Sequence, residues 1–133
     1  MNINSDKPWL KNYPEGVSSN INFDEYSSLV DMFEKTCNRF SSNKAFTNFG
    51  VSFTFKEIYQ KSSNLASFFQ NELNLSQGSR VAIMMPNILQ YPISTFGILK
   101  AGLIVENINP LYTARELETQ LINSKSETII ILE

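Results

Sequence analysis

Short apolar runs alternate with helix-like segments through the second half of the sequence. The runs cover residues 80–85, 103–109 and 128–132, and glycine or proline lies at most of their boundaries. Such runs are typical of strands that are buried on both faces of a parallel sheet. Strands that alternate with helices at this spacing predict an α/β fold with right-handed crossovers. The sequence therefore predicts a mostly parallel sheet with flanking helices.

The helices between these strands have recognisable start and stop signals. Pro86 precedes the third predicted helix, whose regular part is expected to begin near Tyr91 and to end at Gly102. Thr113 and Glu116 form a T-x-x-E capping box, which predicts the start of a fourth helix.

The first half of the chain predicts a helix followed by a hairpin. Ser27 or Ser28 can cap a helix that runs to about Phe40. Residues 45–49 and 52–55 then read as two short strands joined by a turn.

A second helix is predicted directly after the hairpin. Thr54 and Glu57 form its capping box. The helical spacing of the apolar residues that follow predicts one continuous buried face. These residues are Ile58, Leu65, Phe69 and Leu73.

The chain divides at about residue 25. Residues 1–25 are rich in Asn, Ser and Pro without a sustained period, which predicts an irregular arm. Trp9, Leu10 and Tyr13 are its candidates for docking on a partner surface. Residues 26–133 are expected to form a partial α/β subdomain.

Composition limits the classes of function. The net charge of −2, spread without long runs, gives no electrostatic footprint for nucleic acid or an anionic membrane. The start of the chain lacks the pattern of a secretory signal, and residues 91–105 are too short and too polar to span a bilayer. The single cysteine, Cys37, lies in an apolar helical stripe and is interpreted as a buried, inert thiol. These features predict a soluble cytoplasmic protein.

Several segments match, in order, the amino-terminal part of one enzyme family. Residues 53–58, with an aromatic-rich T-[YF]-x-E-L pattern, and residues 99–102, followed by a strand to Asn109-Pro110, resemble two core motifs of adenylate-forming (AMP-binding) enzymes. Further segments of the chain resemble the sequence found at the corresponding places in long-chain fatty acyl-CoA synthetases. These are residues 9–10, 13–14, 28–34, 80–87, 90–92, 107–113 and 115–118. The resemblance implies the beginning of the amino-terminal domain of that fold, which is incomplete in this chain.

The resemblance also implies a reaction. In the parent family, a long-chain fatty acid reacts with ATP to give an acyl-adenylate, and coenzyme A then displaces AMP. That chemistry needs a Gly/Ser/Thr-rich phosphate loop, Mg²⁺ and a mobile lysine-bearing carboxyl-terminal domain. It also leaves open a peripheral association of the parent with the inner face of the cell membrane.

This chain departs from the residue inventory that the reaction needs. Its five glycines include no two within four residues of each other, and it has no histidine. We therefore assign no catalytic, cofactor-binding or metal-binding residue, and expect no ATP, Mg²⁺ or coenzyme A to bind this chain alone. The expectation is a chain that is inactive alone and that self-associates through exposed apolar surface.

Three polar residues follow a predicted strand where open α/β sheets place their ligands. Asn107, Asn109 and Tyr112 lie at or after the carboxyl end of the second parallel strand. Both substrate contact and hydrogen bonding within the loop are open for them, and the second is favoured.

Two further positions depart from the resembled family. Glu106 stands in a strand where an apolar residue is usual, and Ala114 replaces a proline after the threonine cap. If the strand is central, Glu106 would be an unpaired buried carboxylate with a raised pKa, and Glu106→Val would stabilise the fold. An edge or solvent-facing position is the alternative.

Three functional hypotheses remain open from the sequence. The chain is a piece of a long-chain fatty acid–CoA ligase, a non-catalytic interaction module, or a truncated relic without activity. A natural truncation and an excised fragment both fit the end at Glu133.

Overall fold

The computed structural model describes residues 7–132, so the first six residues of the predicted arm and Glu133 lie outside the described part. A short 3₁₀ helix, Pro8–Asn12, lies in the arm, where Trp9 and Tyr13 are exposed. The regular elements that follow are α1 (Leu29–Arg39), β1 (Lys44–Asn48), β2 (Val51–Thr54), α2 (Phe55–Asn71), β3 (Arg80–Met84), α3 (Gln90–Lys100), β4 (Ile104–Asn107), α4 (Ala114–Ser124) and β5 (Thr128–Ile131).

Hydrogen bonds at three helix starts explain why these helices begin where they do. The Asp31 N–H donates to Ser28 Oγ at the start of α1, at 3.0 Å. Capping boxes with both reciprocal hydrogen bonds open α2, at Thr54, and α4, at Thr113. Each threonine oxygen accepts a bond from an amide that has no partner within the helix. The predicted capping boxes are confirmed.

The predicted hairpin is also confirmed. Strands β1 and β2 are antiparallel, with Asn48 opposite Val51. The two residues of the turn, Phe49 and Gly50, have φ angles of 47° and 79°. Positive φ at both central residues is typical of the tight turns whose twist matches that of paired strands.

Three parallel strands form the main sheet, in the order β4–β3–β5. Val81 in the middle strand lies opposite Val105 of β4 and Thr128 of β5. The middle strand is fully buried over Val81, Ala82 and Ile83. This arrangement confirms the predicted parallel sheet and the α/β class.

Helices α2 and α3 cover one face of this sheet. The main core consists of residues from both helices, from β3 and from the segments that flank it. Its buried members are Ala66, Phe69, Val81, Ile83, Met85, Ile98, Ala101 and Leu103. Val105 packs against this core, so its neighbour Glu106 points to the opposite face, where it contacts α4. The sheet therefore lies between α2 and α3 on one side and α4 on the other.

A second, smaller core fastens α1 and the hairpin to α2 and α3. Phe33, Cys37 and Ile58 are its buried members. The rings of Phe33 and Phe96 stack with centroids 3.8 Å apart and an angle of 8° between their planes. This contact joins α1 directly to α3.

An ion pair reinforces the same contact. Lys100 Nζ lies 2.6 Å from Glu34 Oε1 and 3.9 Å from the centre of the Tyr59 ring. The Lys100 side chain is only 11% exposed, so its ammonium group is held by a carboxylate and an aromatic face rather than by bulk water.

One predicted packing position is wrong. Leu73 was expected on the continuous buried face of α2, but the helix ends at Asn71 and Leu73 is 43% exposed. The amides of Leu73 and Leu75 bond to the carbonyls of Phe68 and Phe69, which breaks the helical pattern of bonds. The chain therefore leaves the path of the helix after Asn71, and Leu73 lines a surface groove.

Candidate functional site

The carboxyl end of β4 holds the polar residues that the sequence singled out. Tyr91 Oη, from α3, donates a hydrogen bond to Asn107 Oδ1 at 2.5 Å. Asn109 Oδ1 accepts from the Leu111 amide at 3.0 Å, and the Asn109 carbonyl accepts from the Tyr112 amide at 3.1 Å. Asn109 thus bonds within its own loop, as favoured from the sequence, whereas Asn107 bonds to helix α3.

The side chain of Tyr112 also lines a shallow pocket. The pocket has a volume of 300 Å³ and lies against the first turns of α4. Its lining residues are Tyr112, Arg115, Glu116, Thr119 and Gln120. Neither Asn107 nor Asn109 is among these lining residues.

An apolar groove lies on the other side of the sheet, beside β5. It has a volume of 530 Å³ and is formed by α2, α3 and the outer strand. Its lining residues are Leu65, Phe68, Phe69, Leu73, Met85, Ile88, Gln90, Ile93, Ser94 and residues 128–132. The apolar run at 128–132 signalled an exposed patch, but sequence reasoning missed the groove because its walls come from three separate elements.

Glu106 has three uncharged hydrogen-bonding side chains around it. Gln120 Nε2 donates to Glu106 Oε1 at 2.9 Å, and Ser126 Oγ donates to Glu106 Oε2 in a short hydrogen bond. Ser124 Oγ lies 3.2 Å from Ser126 Oγ and extends this network. The carboxylate therefore has partners, and β4 lies at the edge of the described sheet.

The pKa of Glu106 consequently moves in the opposite direction from the expectation for a central strand. Partial burial raises the pKa, but the hydroxyls of Ser124 and Ser126, the Gln120 amide and the charge of Arg80 together lower it below its ordinary value. The rise was expected only for a central strand, and the structure instead has the edge position that the sequence left open, with a carboxylate that has hydrogen-bond partners.

Cys37 is buried, as the sequence indicated. The residue is 3% exposed within the smaller core, and burial raises the pKa of its thiol despite the nearby positive charge of Lys100. A raised pKa leaves less thiolate at neutral pH, and the thiolate is the reactive form. Cys37 therefore acts as a small apolar side chain.

The described residues do not assemble a metal site or a membrane span. Within residues 7–132, no three His, Cys, Asp or Glu side chains lie together as metal ligands. None of the helices in that range is long and apolar enough to cross a bilayer.

Comparison with known proteins identifies the family. Residues 33–133 match the family described as AMP-binding enzyme. The chain belongs to the AMP-binding enzymes. This match covers α2, the whole parallel sheet and most of α1, so the family assignment and the fold concern the same residues.

Two relatives of this AMP-binding chain are described as long-chain-fatty-acid–CoA ligases. It is 51% identical over 126 residues to a long-chain-fatty-acid–CoA ligase of Escherichia coli O6:H1, a match that covers 95% of this chain and 22% of the relative. The long-chain-fatty-acid–CoA ligase of Bacillus subtilis is 37% identical over 131 residues, which is 98% of this chain and 23% of the relative. The chain thus spans about a fifth of the length of these relatives.

Solved structures of AMP-binding enzymes share the fold. The amino-terminal subdomain of Klebsiella oxytoca NpsA, in complex with 3-hydroxyanthranilyl-AMSN, has a TM-score of 0.74 at 23% identity, covering 78% of this chain and 26% of that one. The anthranilate CoA ligase AuaEII, in complex with anthranoyl-AMP, also has a TM-score of 0.74 at 23% identity, covering 80% and 20%. The predicted fold, a partial amino-terminal domain of this kind, is confirmed.

Proposed function

We propose that this chain serves as a structural part of an ATP-dependent long-chain fatty acid–CoA ligase. The observation that carries the proposal is its 51% identity over 126 residues to a protein described as such a ligase. Identity at this level extends across both cores and the sheet, rather than over one short motif. The substrate class would be a long-chain fatty acid, and the cofactors of the whole enzyme would be ATP, Mg²⁺ and coenzyme A.

The chain's own contribution would be the framework rather than the chemistry. Asn107 and Asn109 hold the segment after β4 through bonds within the chain, and the chain spans about a fifth of the length of the ligases that it resembles. The residues that contact phosphate, metal and acyl group would therefore come from the other four-fifths of such an enzyme. We accordingly expect the 133-residue chain to form no acyl-adenylate by itself.

A chimera tests this proposal. The matched segment of the Escherichia coli ligase is replaced by the corresponding residues of this chain, and fatty acyl-CoA formation from oleate is compared with that of the unmodified ligase. Since the framework residues pack mainly against one another, we expect the chimera to retain fatty acid-dependent activity. A soluble, folded chimera without acyl-CoA formation would contradict the proposal.

The apolar groove favours a second candidate function, a non-catalytic interaction module. The groove of 530 Å³ beside β5 is largely apolar, and Ile131 and Leu132 next to it are 60% and 56% exposed. The isolated chain would self-associate through this surface, and a peripheral association of the whole enzyme with a membrane is a further proposal. An inactive chimera, together with tight self-association of the chain, would favour this second function.

A further inference from the structure

Helix α4 is attached to the sheet by unusually little apolar contact. None of its residues is buried, whereas α2 and α3 each bury several. Leu117 and Leu121 are only partly covered, and the backbone of α4 packs sparsely against the other elements. A helix of 11 residues is marginal in water without tertiary contacts, so another interaction must hold it in place.

The carboxylate of Glu106 supplies such an interaction. One of its oxygens accepts a hydrogen bond from the Gln120 side-chain amide in the second turn of α4, and the other accepts one from the Ser126 hydroxyl in the turn before β5. Ser126 is itself positioned locally, because its amide bonds to the Leu121 carbonyl and lies 3.3 Å from Ser124 Oγ. A single side chain of β4 therefore contacts both the helix and the turn that follows it.

We propose that Glu106 is a positioning residue that fastens α4 and the turn before β5 to the sheet through Gln120 and Ser126. Hydrogen bonds to a charged acceptor are stronger than those between neutral groups, so the ionised carboxylate is the effective partner.

The charged groups around Glu106 favour its ionised form. Arg80, on the adjacent strand β3, is the charged group that acts on it, and it lowers the pKa. The groups presented by α4 and the following turn, namely Gln120, Ser124 and Ser126, are uncharged donors. A pKa lowered on folding contributes stability that is complete above the unfolded value and is lost as the pH falls through the folded value. Acidification should therefore loosen α4 locally.

Hydrogen exchange on the 133-residue chain measures this directly. Amide exchange is followed by NMR for Lys125 and Ser126, which bond within the turn, and for Ile83 in the middle strand. In Glu106→Val, we expect exchange at the two turn amides to become about tenfold faster while Ile83 is unchanged. The control is Glu118→Gln, which removes a carboxylate from the exposed surface of α4 and should change neither. Unchanged exchange rates at the amides of Lys125 and Ser126, or an equal acceleration of exchange at Ile83, would overturn the proposal.

Coupling between the two partners gives a second measurement. Ser126→Ala should accelerate exchange at Lys125, and Glu106→Val with Ser126→Ala should accelerate it no further than Glu106→Val alone. Additive effects would contradict a shared network.

If Glu106→Val does not fold, the pH dependence of the unaltered chain and of Glu106→Gln tests the proposal instead. The Gln120 side-chain amide resonances of the unaltered chain should then shift with the titration of the Glu106 carboxyl carbon. The difference in Tm between the unaltered chain and the Glu106→Gln variant should shrink towards zero as the pH falls. A Gln120 signal that ignores this titration would overturn the proposal.

Discussion

Gly97 shows how a single residue sets the approach of two helices. A Cβ built on Gly97 would lie 2.9 Å from Leu65 Cδ2, 3.0 Å from Leu65 Cγ and 3.1 Å from Leu65 Cβ. The last two atoms are close to the backbone of α2, so they cannot move aside as a flexible side-chain end would. The packing of α2 on α3 therefore requires glycine at this position.

Gly97→Ala is expected to lower the free energy of unfolding by about 1–2 kcal/mol, because the clash exceeds the gain in helix propensity. The same change in a Leu65→Ala background should cost less, because Leu65 Cγ and Cδ2 are gone and only the contact with Cβ at 3.1 Å remains. Urea unfolding of the four chains measures both differences. An equal cost in the two backgrounds would rule out the contact as the cause.

The backbone of Phe49 has a positive φ, which is unfavourable for a phenylalanine side chain. Its φ is 47° and its ring is 93% exposed at the tip of the hairpin. Phe49→Asn should raise the free energy of unfolding by about 0.5–1 kcal/mol, because asparagine adopts this conformation more readily. Phe49→Ala is the matched control, since it removes the ring without that preference. A gain of the same size from alanine would show that loss of the exposed ring, and not backbone conformation, is responsible.

At the scale of elements, the same capping box opens one well-packed helix, α2, and one weakly packed helix, α4. Thr54 opens α2, which buries Ile58 and Phe69, whereas Thr113 opens α4, which buries no residue. Thr54→Ala should lower the free energy of unfolding of the chain by about 1 kcal/mol. Thr113→Ala should mainly accelerate amide exchange in the first turns of α4, by several-fold, because that helix can open locally. Equal global destabilisation by both variants would contradict this difference.

Elements with local signals could be predicted from the sequence, and those that depend on distant partners could not. Thr54 with Glu57, Thr113 with Glu116, and Asn48 to Val51 place all the information for a helix start or a turn within four residues. The environment of Glu106 instead depends on Gln120 and Ser126, which reach it only because α4 crosses the face of the sheet. The prediction that Leu73 is buried on α2 was wrong for a similar reason. The helical spacing of apolar residues continues to Leu73, but bonds to the carbonyls of Phe68 and Phe69 end the helix before it.

At the scale of the whole molecule, an apolar groove lies beside the outer strand. Ile131 and Leu132 are more than half exposed, and the groove next to them is lined by Phe68, Leu73 and other apolar residues. An outer strand with unpaired backbone groups and apolar neighbours favours pairing with another chain.

Self-association of the chain should therefore depend on this strand. Sedimentation velocity should show a sedimentation coefficient that rises with concentration, and Ile131→Lys with Leu132→Lys should reduce this rise. Leu111→Lys is the matched control, because Leu111 is 87% exposed but follows β4 rather than β5. A monodisperse monomer at high concentration, or an equal effect of the control, would show that β5 does not drive association.

The most direct test of the account is fatty acid-dependent exchange of pyrophosphate into ATP by the purified 133-residue chain. Activation of a carboxylate requires stabilisation of charge on the α-phosphate, and the chain spans only about a fifth of the length of the ligases that it resembles. We expect no exchange above that of a denatured control, under conditions in which the Escherichia coli ligase is active. Formation of acyl-adenylate by the short chain alone would contradict the account.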